Sequence, residues 1–257
     1  MPAIIKGAYG FNGEVVIVTG AARGIGEGIA SVLAEAGATV ILADMNGERA
    51  RERADALRNA GHRADHLQLD IADESSIVHA HAQAVARHGA PFGLVNNAGI
   101  LDRQLLLEGT AQEWDRVNAV NSRGVFLIMR EAARAMADAK AGGRIVNIAS
   151  AALIGSLTYG HTIYAASKAA LLGLMRAAAF ELAEHRITVN TIMAGGVATP
   201  GAIQSKGPAP EGPARRPPPL GMCTARDIGL AVLFLASPLS GAITNQSIAV
   251  DGGWSVT

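Results

Sequence analysis

Val15-Val16-Ile17-Val18-Thr19-Gly20-Ala21-Ala22-Arg23-Gly24-Ile25-Gly26 decides the fold. Its first four residues are apolar and β-branched, which suits a strand buried on both faces. Gly20, Gly24 and Gly26 then separate this strand from a helix predicted over Ile25–Ala36. Gly20 permits a tight turn, Gly24 lets the backbone approach a diphosphate, and Gly26 allows close packing beneath it. Arg23 and Ile25 flank the turn, where unpaired N–H groups and the positive end of the helix dipole favour phosphate. Together they form a candidate dinucleotide cradle.

Outward from this stretch, short β-branched runs alternate with longer helical segments. Strands are predicted at Val15–Thr19, Thr39–Ala43, Ala64–Leu69, Phe92–Asn96, Arg144–Ala149, Ile187–Ile192 and Ser247–Val250. The helices between them are predicted at Ile25–Ala36, Gly47–Ala60, Glu74–His88, Ala111–Ala139, Ile163–His185 and Ala225–Ala236. Such alternation implies right-handed βαβ units and an α/β fold, a doubly wound parallel sheet with helices on both faces. No linker or repeat divides residues 1–257, so a single domain is expected. Six of the ten prolines fall between Pro208 and Pro219, excluding regular helix or internal strand there. This segment follows the C-terminal end of a strand, where ligands bind in such sheets, so a substrate lid is expected at about 200–222.

Composition removes several function classes. The 257 residues carry 22 Lys plus Arg against 22 Asp plus Glu, so no overall basic field exists to hold nucleic acid or an anionic membrane. Aromatic residues, at 4%, are too few for a base-stacking platform. Cys223 is the single cysteine, which leaves no internal disulfide and no structural zinc site. His79 and His81 cannot share a helix face, and no metal is expected. The first residues do not read as a signal peptide and no run of 18 apolar residues occurs, so a cytoplasmic protein without a membrane span is expected.

Asp44 closes the second strand, eighteen residues past Gly26. An acidic side chain there takes both ribose hydroxyls of an adenosine and repels a 2′-phosphate, which argues for NAD over NADP. Arg23 is the counterweight, since a guanidinium near the ribose favours phosphate. Asp70, followed by Ile71, ends the third strand and offers an acceptor to the adenine amino group; helix capping is its structural alternative.

The pattern Thr19-Gly20-x-x-x-Gly24-x-Gly26, the run Asn96-Asn97-Ala98-Gly99 and the segment Tyr164-Ala165-Ala166-Ser167-Lys168 together resemble the compact single-domain branch of the short-chain dehydrogenase/reductase family. The resemblance runs from Phe11-Asn12-Gly13 to Asp251-Gly252-Gly253. It implies a Rossmann-like sheet of about seven strands, a nicotinamide cofactor, and hydride transfer between an alcohol and a carbonyl. Tyr164 and Lys168, four residues apart in a helix, share a face. An ammonium beside a phenol favours phenolate, so Lys168, together with a cationic oxidised nicotinamide, is expected to lower the Tyr164 pKa from about 10 and make it a general acid/base. Ser150 ends the fifth strand and offers its hydroxyl to a substrate oxygen; it matches the family's catalytic serine. It precedes Tyr164 by fourteen residues where thirteen is commoner, so one extra residue is expected in the loop 152–162.

The resemblance further implies that Asn121 is the fourth catalytic residue, holding a water that links Lys168 to a proton relay. Asn97, Ala98 and Gly99 would line the cofactor. Val197 and the Thr199 hydroxyl would reach its carboxamide, although Ala194-Gly195 stands where the family usually has Pro-Gly. His161, three residues before Tyr164, is expected at the substrate pocket wall. A homotetramer formed through the two long helices is also implied, their alanines Ala132, Ala133, Ala135, Ala137, Ala165, Ala166, Ala169 and Ala170 allowing close approach. The expected reaction is NAD(H)-dependent interconversion of a secondary alcohol and a ketone. Two alternatives stand beside it: an NADPH-dependent 3-oxoacyl thioester reductase, which Asp44 disfavours, and a nicotinamide-binding sensor or scaffold, which would have no need of Ser150, Tyr164 and Lys168 together.

Overall fold

The computed structural model describes residues 9–199 and 205–256. Seven strands are present: β1 Val15–Thr19, β2 Thr39–Asp44, β3 Ala64–Gln68, β4 Gly93–Asn96, β5 Gly143–Ser150, β6 Ile187–Ala194 and β7 Ser247–Val250. All pair in parallel, in the order β3-β2-β1-β4-β5-β6-β7. The order reverses between β1 and β4, and the C-terminal ends of those strands open the crevice where this architecture binds ligands.

The helices are α1 Gly24–Glu35, α2 Gly47–Asn59, α3 Glu74–His88, α4 Ala111–Asn118, α5 Val125–Ala139, α6 Thr162–Glu181 and α7 Ala225–Ala236. Alternation along the strands splits the core in two. Val16, Val18, Val40, Leu42, Val146 and Ile148 face α1 and α7, while Ile17, Ile41, Leu94, Ile145 and Val189 face the side of α3, α5 and α6. Continuous apolar strands are the consequence of covering both faces. One row interrupts the second face near the strand ends: Thr19, Asn96, Asn147 and Thr191 are all buried. Asn96 Nδ2 donates to Asn147 Oδ1 at 2.8 Å across β4 and β5.

One expectation is corrected. The helix predicted over Ala111–Ala139 is two helices separated by a π-helical turn, Ala119–Gly124. A π turn inserts one residue per turn and rotates the residues within and after it, which carries Asn121 fully inside. Gly124 is pressed against the Ile71 carbonyl; a Cβ there would lie 2.2 Å from it. Composition alone also understates α6, which is long and apolar enough to cross a membrane. Here it lies along the sheet and gives Leu171, Met175 and Ala179 to the core.

The proline-rich segment crosses the surface as a strap, with a single 3₁₀ turn at Pro213–Arg215. It is tied along its length by backbone hydrogen bonds. The Arg103 N–H donates to the Lys206 carbonyl at 2.8 Å, the Tyr159 N–H to the Glu211 carbonyl at 2.8 Å, and the Leu220 N–H to the Gly252 carbonyl at 3.0 Å. Pro200, at the start of the predicted lid, lies outside the described residues, as do residues 201–204.

Candidate active site

The glycine turn is built against β4. A Cβ at Gly26 would lie 2.1 Å from the Gly20 carbonyl oxygen and 2.5 Å from Asn97 Nδ2, so no side chain fits. Asn97 Nδ2 donates to the carbonyls of Thr19 and Gly20, at 3.0 and 3.1 Å, and thereby fixes the turn. Thr19 completes the junction. Its Oγ1 accepts from the N–H groups of Asn97 and Ala98 at 3.1 and 3.0 Å. Asn97 and Ala98 thus first serve to shape the cradle.

Arg23 stands in the N-cap position of α1 with extended backbone, and no side chain caps this helix. The first N–H groups of α1 therefore point out of the turn as an anion site, which fits a dinucleotide pyrophosphate. Thr199 comes beside Gly24; a Cβ on Gly24 would meet its side chain at 3.2 Å. Val197 is buried and bridges to Cys223, fixing the chain just after β6. Ile25 is partly buried behind the turn.

At the end of β2, Asp44 Oδ2 accepts from the Ala22 N–H at 3.0 Å and Oδ1 from the Asn46 N–H at 2.9 Å. The carboxylate is thus oriented by backbone on both oxygens, and each keeps a lone pair for a further donor. A shallow depression beside it is lined by Met45, Asn46, Gly47, Glu48 and Gln68. Asp70 Oδ1 accepts from the Ala72 N–H at 2.9 Å, so its side chain shapes the turn that buries Ile71.

The catalytic candidates converge at the ends of β4 and β5. The Ser150 hydroxyl accepts from the Ala152 N–H at 3.1 Å and lies near enough to the Tyr164 phenol to favour its ionisation. Lys168 is buried, and its Nζ donates to the Ile148 carbonyl at 2.8 Å. Burial pushes the Tyr164 pKa up, and the neighbouring Ser150 hydroxyl pulls it down. Burial also lowers Lys168 itself to about 8.

Asn121 Oδ1 accepts from the Ile100 N–H at 2.9 Å, and its Nδ2 donates to the Ile100 carbonyl and to Ser167 Oγ, at 2.9 and 3.0 Å. Its side chain is therefore used in tying the loop after β4 to α6. Gly99 leaves a gap between the two groups: a Cβ there would lie 3.2 Å from both Asn121 Oδ1 and Lys168 Nζ. His161 packs its ring against Tyr164 with centroids 5.4 Å apart, and its Nε2 meets Thr158 Oγ1 at 2.9 Å. Burial first, then the Arg103 charge, holds its pKa down to about 4, so the ring is neutral at physiological pH. Sequence reasoning missed Thr19, Ser167 and Arg103; only Thr19, within the glycine motif, carried a local signal.

A buried lysine has a stability consequence. Below pH 8 the ammonium is buried at full cost, and the cost is relieved as pH rises from 8 towards the ordinary 10.5. Lys168→Met is therefore expected to raise the melting temperature at pH 7 by several degrees, on the order of 2 °C per kcal/mol for a chain of this size. The gain should shrink to nothing near pH 10.5. Differential scanning fluorimetry across that range checks it; a constant difference contradicts the assignment.

An uncapped helix N-terminus over a glycine turn, a carboxylate oriented by backbone at the end of β2, and a Ser–Tyr–Lys group at the ends of β5 and α6 fit an oxidoreductase that uses a nicotinamide dinucleotide. Residues 20–255 match the family model described as "Enoyl-(Acyl carrier protein) reductase". The chain is 36% identical to 2,5-dichloro-2,5-cyclohexadiene-1,4-diol dehydrogenase LinX of Sphingobium indicum, covering 95% of this chain and 97% of that one. It is likewise 36% identical to cyclopentanol dehydrogenase of Comamonas sp., with the same coverage of each. Among solved structures, a short-chain dehydrogenase/reductase from Serratia marcescens matches with a TM-score of 0.84 at 35% identity, covering 95% of this chain and 98% of that one. The chain belongs to the short-chain dehydrogenase/reductase family.

Proposed function

We propose that this protein is an NAD(H)-dependent oxidoreductase that interconverts a secondary alcohol and a ketone. The observation that carries the reading is the meeting of Ser150, Tyr164 and the buried Lys168 at the end of β5, where Lys168 Nζ donates to the Ile148 carbonyl at 2.8 Å. A substrate oxygen set between the two hydroxyls receives a hydrogen bond from Ser150 as charge develops on it. In reduction Tyr164 donates its phenolic proton to that oxygen; in oxidation the phenolate takes it back. Lys168, with a pKa of about 8, exchanges protons readily at working pH and faces the gap at Gly99, where Asn121 closes the other side. Gly20, Gly24, Gly26 and the α1 N-terminus would hold the pyrophosphate, Asp44 the ribose, Asp70 and Ile71 the adenine, and Val197 and Thr199 the carboxamide. A nicotinamide held there would supply or accept the hydride at the substrate carbon.

Relatives bearing the names of alcohol and diol dehydrogenases support a small alicyclic or aliphatic substrate, while one named (3R)-3-hydroxyacyl-CoA dehydrogenase, of Rattus norvegicus and also 36% identical, keeps the acyl thioester in the test. The oriented carboxylate of Asp44 supports NAD over NADP. Thermal-shift titration with NAD and NADP, followed by turnover on a panel of cyclopentanol, cyclohexanol, linear secondary alcohols and a 3-hydroxyacyl thioester, tests both. Turnover of the thioester alone, with NADP, would replace this reading by the reductase alternative.

The reading takes the protein as a cytoplasmic homotetramer without nucleic-acid or membrane partners. Phe126 on α5 and Phe180 on α6 are exposed, the latter by 86%, and a second copy would cover them. Ala132 and Ala133 take no part, because they are buried against their own sheet. Sedimentation equilibrium at micromolar concentration is expected to give four chains; a monomer rejects this.

A further inference from the structure

Arg103 lies in the loop after β4, a hundred residues before the proline-rich strap, yet it is where the two meet. Its Nε donates to the Pro208 carbonyl at 2.8 Å and its Nη1 to Ser205 Oγ at 2.7 Å. Its backbone N–H donates to the Lys206 carbonyl at 2.8 Å, and neighbouring Asp102 Oδ1 accepts from the Lys206 N–H at 2.9 Å. The approach is so close that Gly207, at φ +108°, has no room for a side chain: a Cβ would lie 1.9 Å from the Arg103 carbonyl oxygen.

The same residue touches the third side of the crevice. Gln104 N–H donates to the Gly160 carbonyl at 3.0 Å, and a Cβ on Gly160 would lie 2.9 Å from Arg103 Cβ. The Arg103 charge acts on His161, whose ring packs on Tyr164. Farther along, the strap is laced to the same loop, the Ala214 N–H donating to the Leu157 carbonyl at 3.0 Å. Three segments distant in sequence, 102–104, 157–161 and 205–208, thus meet at Arg103: its guanidinium holds the strap, and its main chain and Cβ lie against Gly160, beside the His161 that packs on Tyr164.

We propose that Arg103 is a positioning residue that clasps the strap to the loop after β4 and so fixes the outer wall of the substrate pocket beside Tyr164. This role rests on the proposed oxidoreductase site. The clasp requires a forked donor: a lysine reaches one of the two strap acceptors, not both. Cofactor binding, at the opposite end of the crevice, is not expected to depend on it.

The strap carries its own reporter, since trypsin cuts after Lys206 and Arg215. Under native conditions with NADH present, Arg103→Met is expected to speed these cuts, read by mass spectrometry, by at least about tenfold. Gly207→Ala, at an exposed position, should loosen the same contact from the other side. Both should raise KM for the alcohol turned over in the panel by about tenfold or more, with kcat within about threefold and NADH affinity unchanged. Arg103→Lys should fall between. Wild-type protection of the strap in both substituted proteins overturns the clasp whether or not the protein turns over any alcohol. Faster cutting with an unchanged KM overturns its role in positioning substrate. If no alcohol is turned over by the unsubstituted protein, the oxidoreductase reading fails, and the cutting rates still decide the clasp.

Discussion

Tyr164→Phe is expected to lower kcat/KM for the preferred alcohol or ketone by about 10²–10⁴-fold, the range for losing a positioned acid/base. That corresponds to on the order of 3–5 kcal/mol of transition-state stabilisation. Only one oxygen is removed, and the ring remains packed against His161, 5.4 Å between centroids. The Ser150 hydroxyl keeps its bond from the Ala152 N–H, so the strand end keeps its shape. NADH affinity should therefore stay within about twofold, with the loss confined to chemistry. Stopped-flow turnover together with a binding titration checks this. Near-normal turnover would remove Tyr164 from the mechanism.

Asp44→Ala is expected to lower kcat/KM with NAD by more than about tenfold. Each charge-assisted bond from a ribose hydroxyl contributes roughly 1.5–3 kcal/mol, and about 1.4 kcal/mol already equals a factor of ten. With NADP the sign reverses. A 2′-phosphate meets a carboxylate in the unsubstituted protein, and removing that charge relieves the repulsion. The preference for NAD over NADP, expected at about tenfold or more, should thus shrink or invert. Asp44 also receives the Ala22 and Asn46 N–H groups, so a modest loss of thermal stability should accompany the change. Steady-state kinetics with both cofactors check the pair of expectations; equal use of NAD and NADP by the unsubstituted protein would show that Arg23 outweighs Asp44.

The sheet was legible because its strands are nearly pure apolar β-branched runs and its turns carry glycine, both local signals. β1 and β7 match their predicted limits, while β5 and β6 extend one or two residues beyond theirs to bring Ser150 and Ala194 to the crevice. The candidate catalytic positions were legible through motif spacing, which fixes residues on a strand end and on one helix face. Contacts between distant segments were not legible. The π turn around Asn121 depends on Gly124 meeting the Ile71 carbonyl, fifty-three residues back, and no local propensity encodes that. The Tyr164–Lys168 spacing put two side chains on one face but did not reveal that the ammonium reaches the Ile148 carbonyl. Prolines and glycines in the strap marked an irregular segment correctly; what ties it down, Arg103, lies a hundred residues away in an unremarkable loop.

The central claim is that a nicotinamide cofactor bound at the glycine turn exchanges hydride with an alcohol or ketone held by Ser150 and Tyr164. The most direct measurement is the absorbance of reduced nicotinamide when the protein is mixed with NAD and the alcohol panel, run beside Tyr164→Phe. Steady NADH formation is expected with at least one secondary alcohol, with near-complete loss in the substituted protein. Tight NAD binding without NADH formation from any alcohol, or formation that survives Tyr164→Phe undiminished, would contradict it.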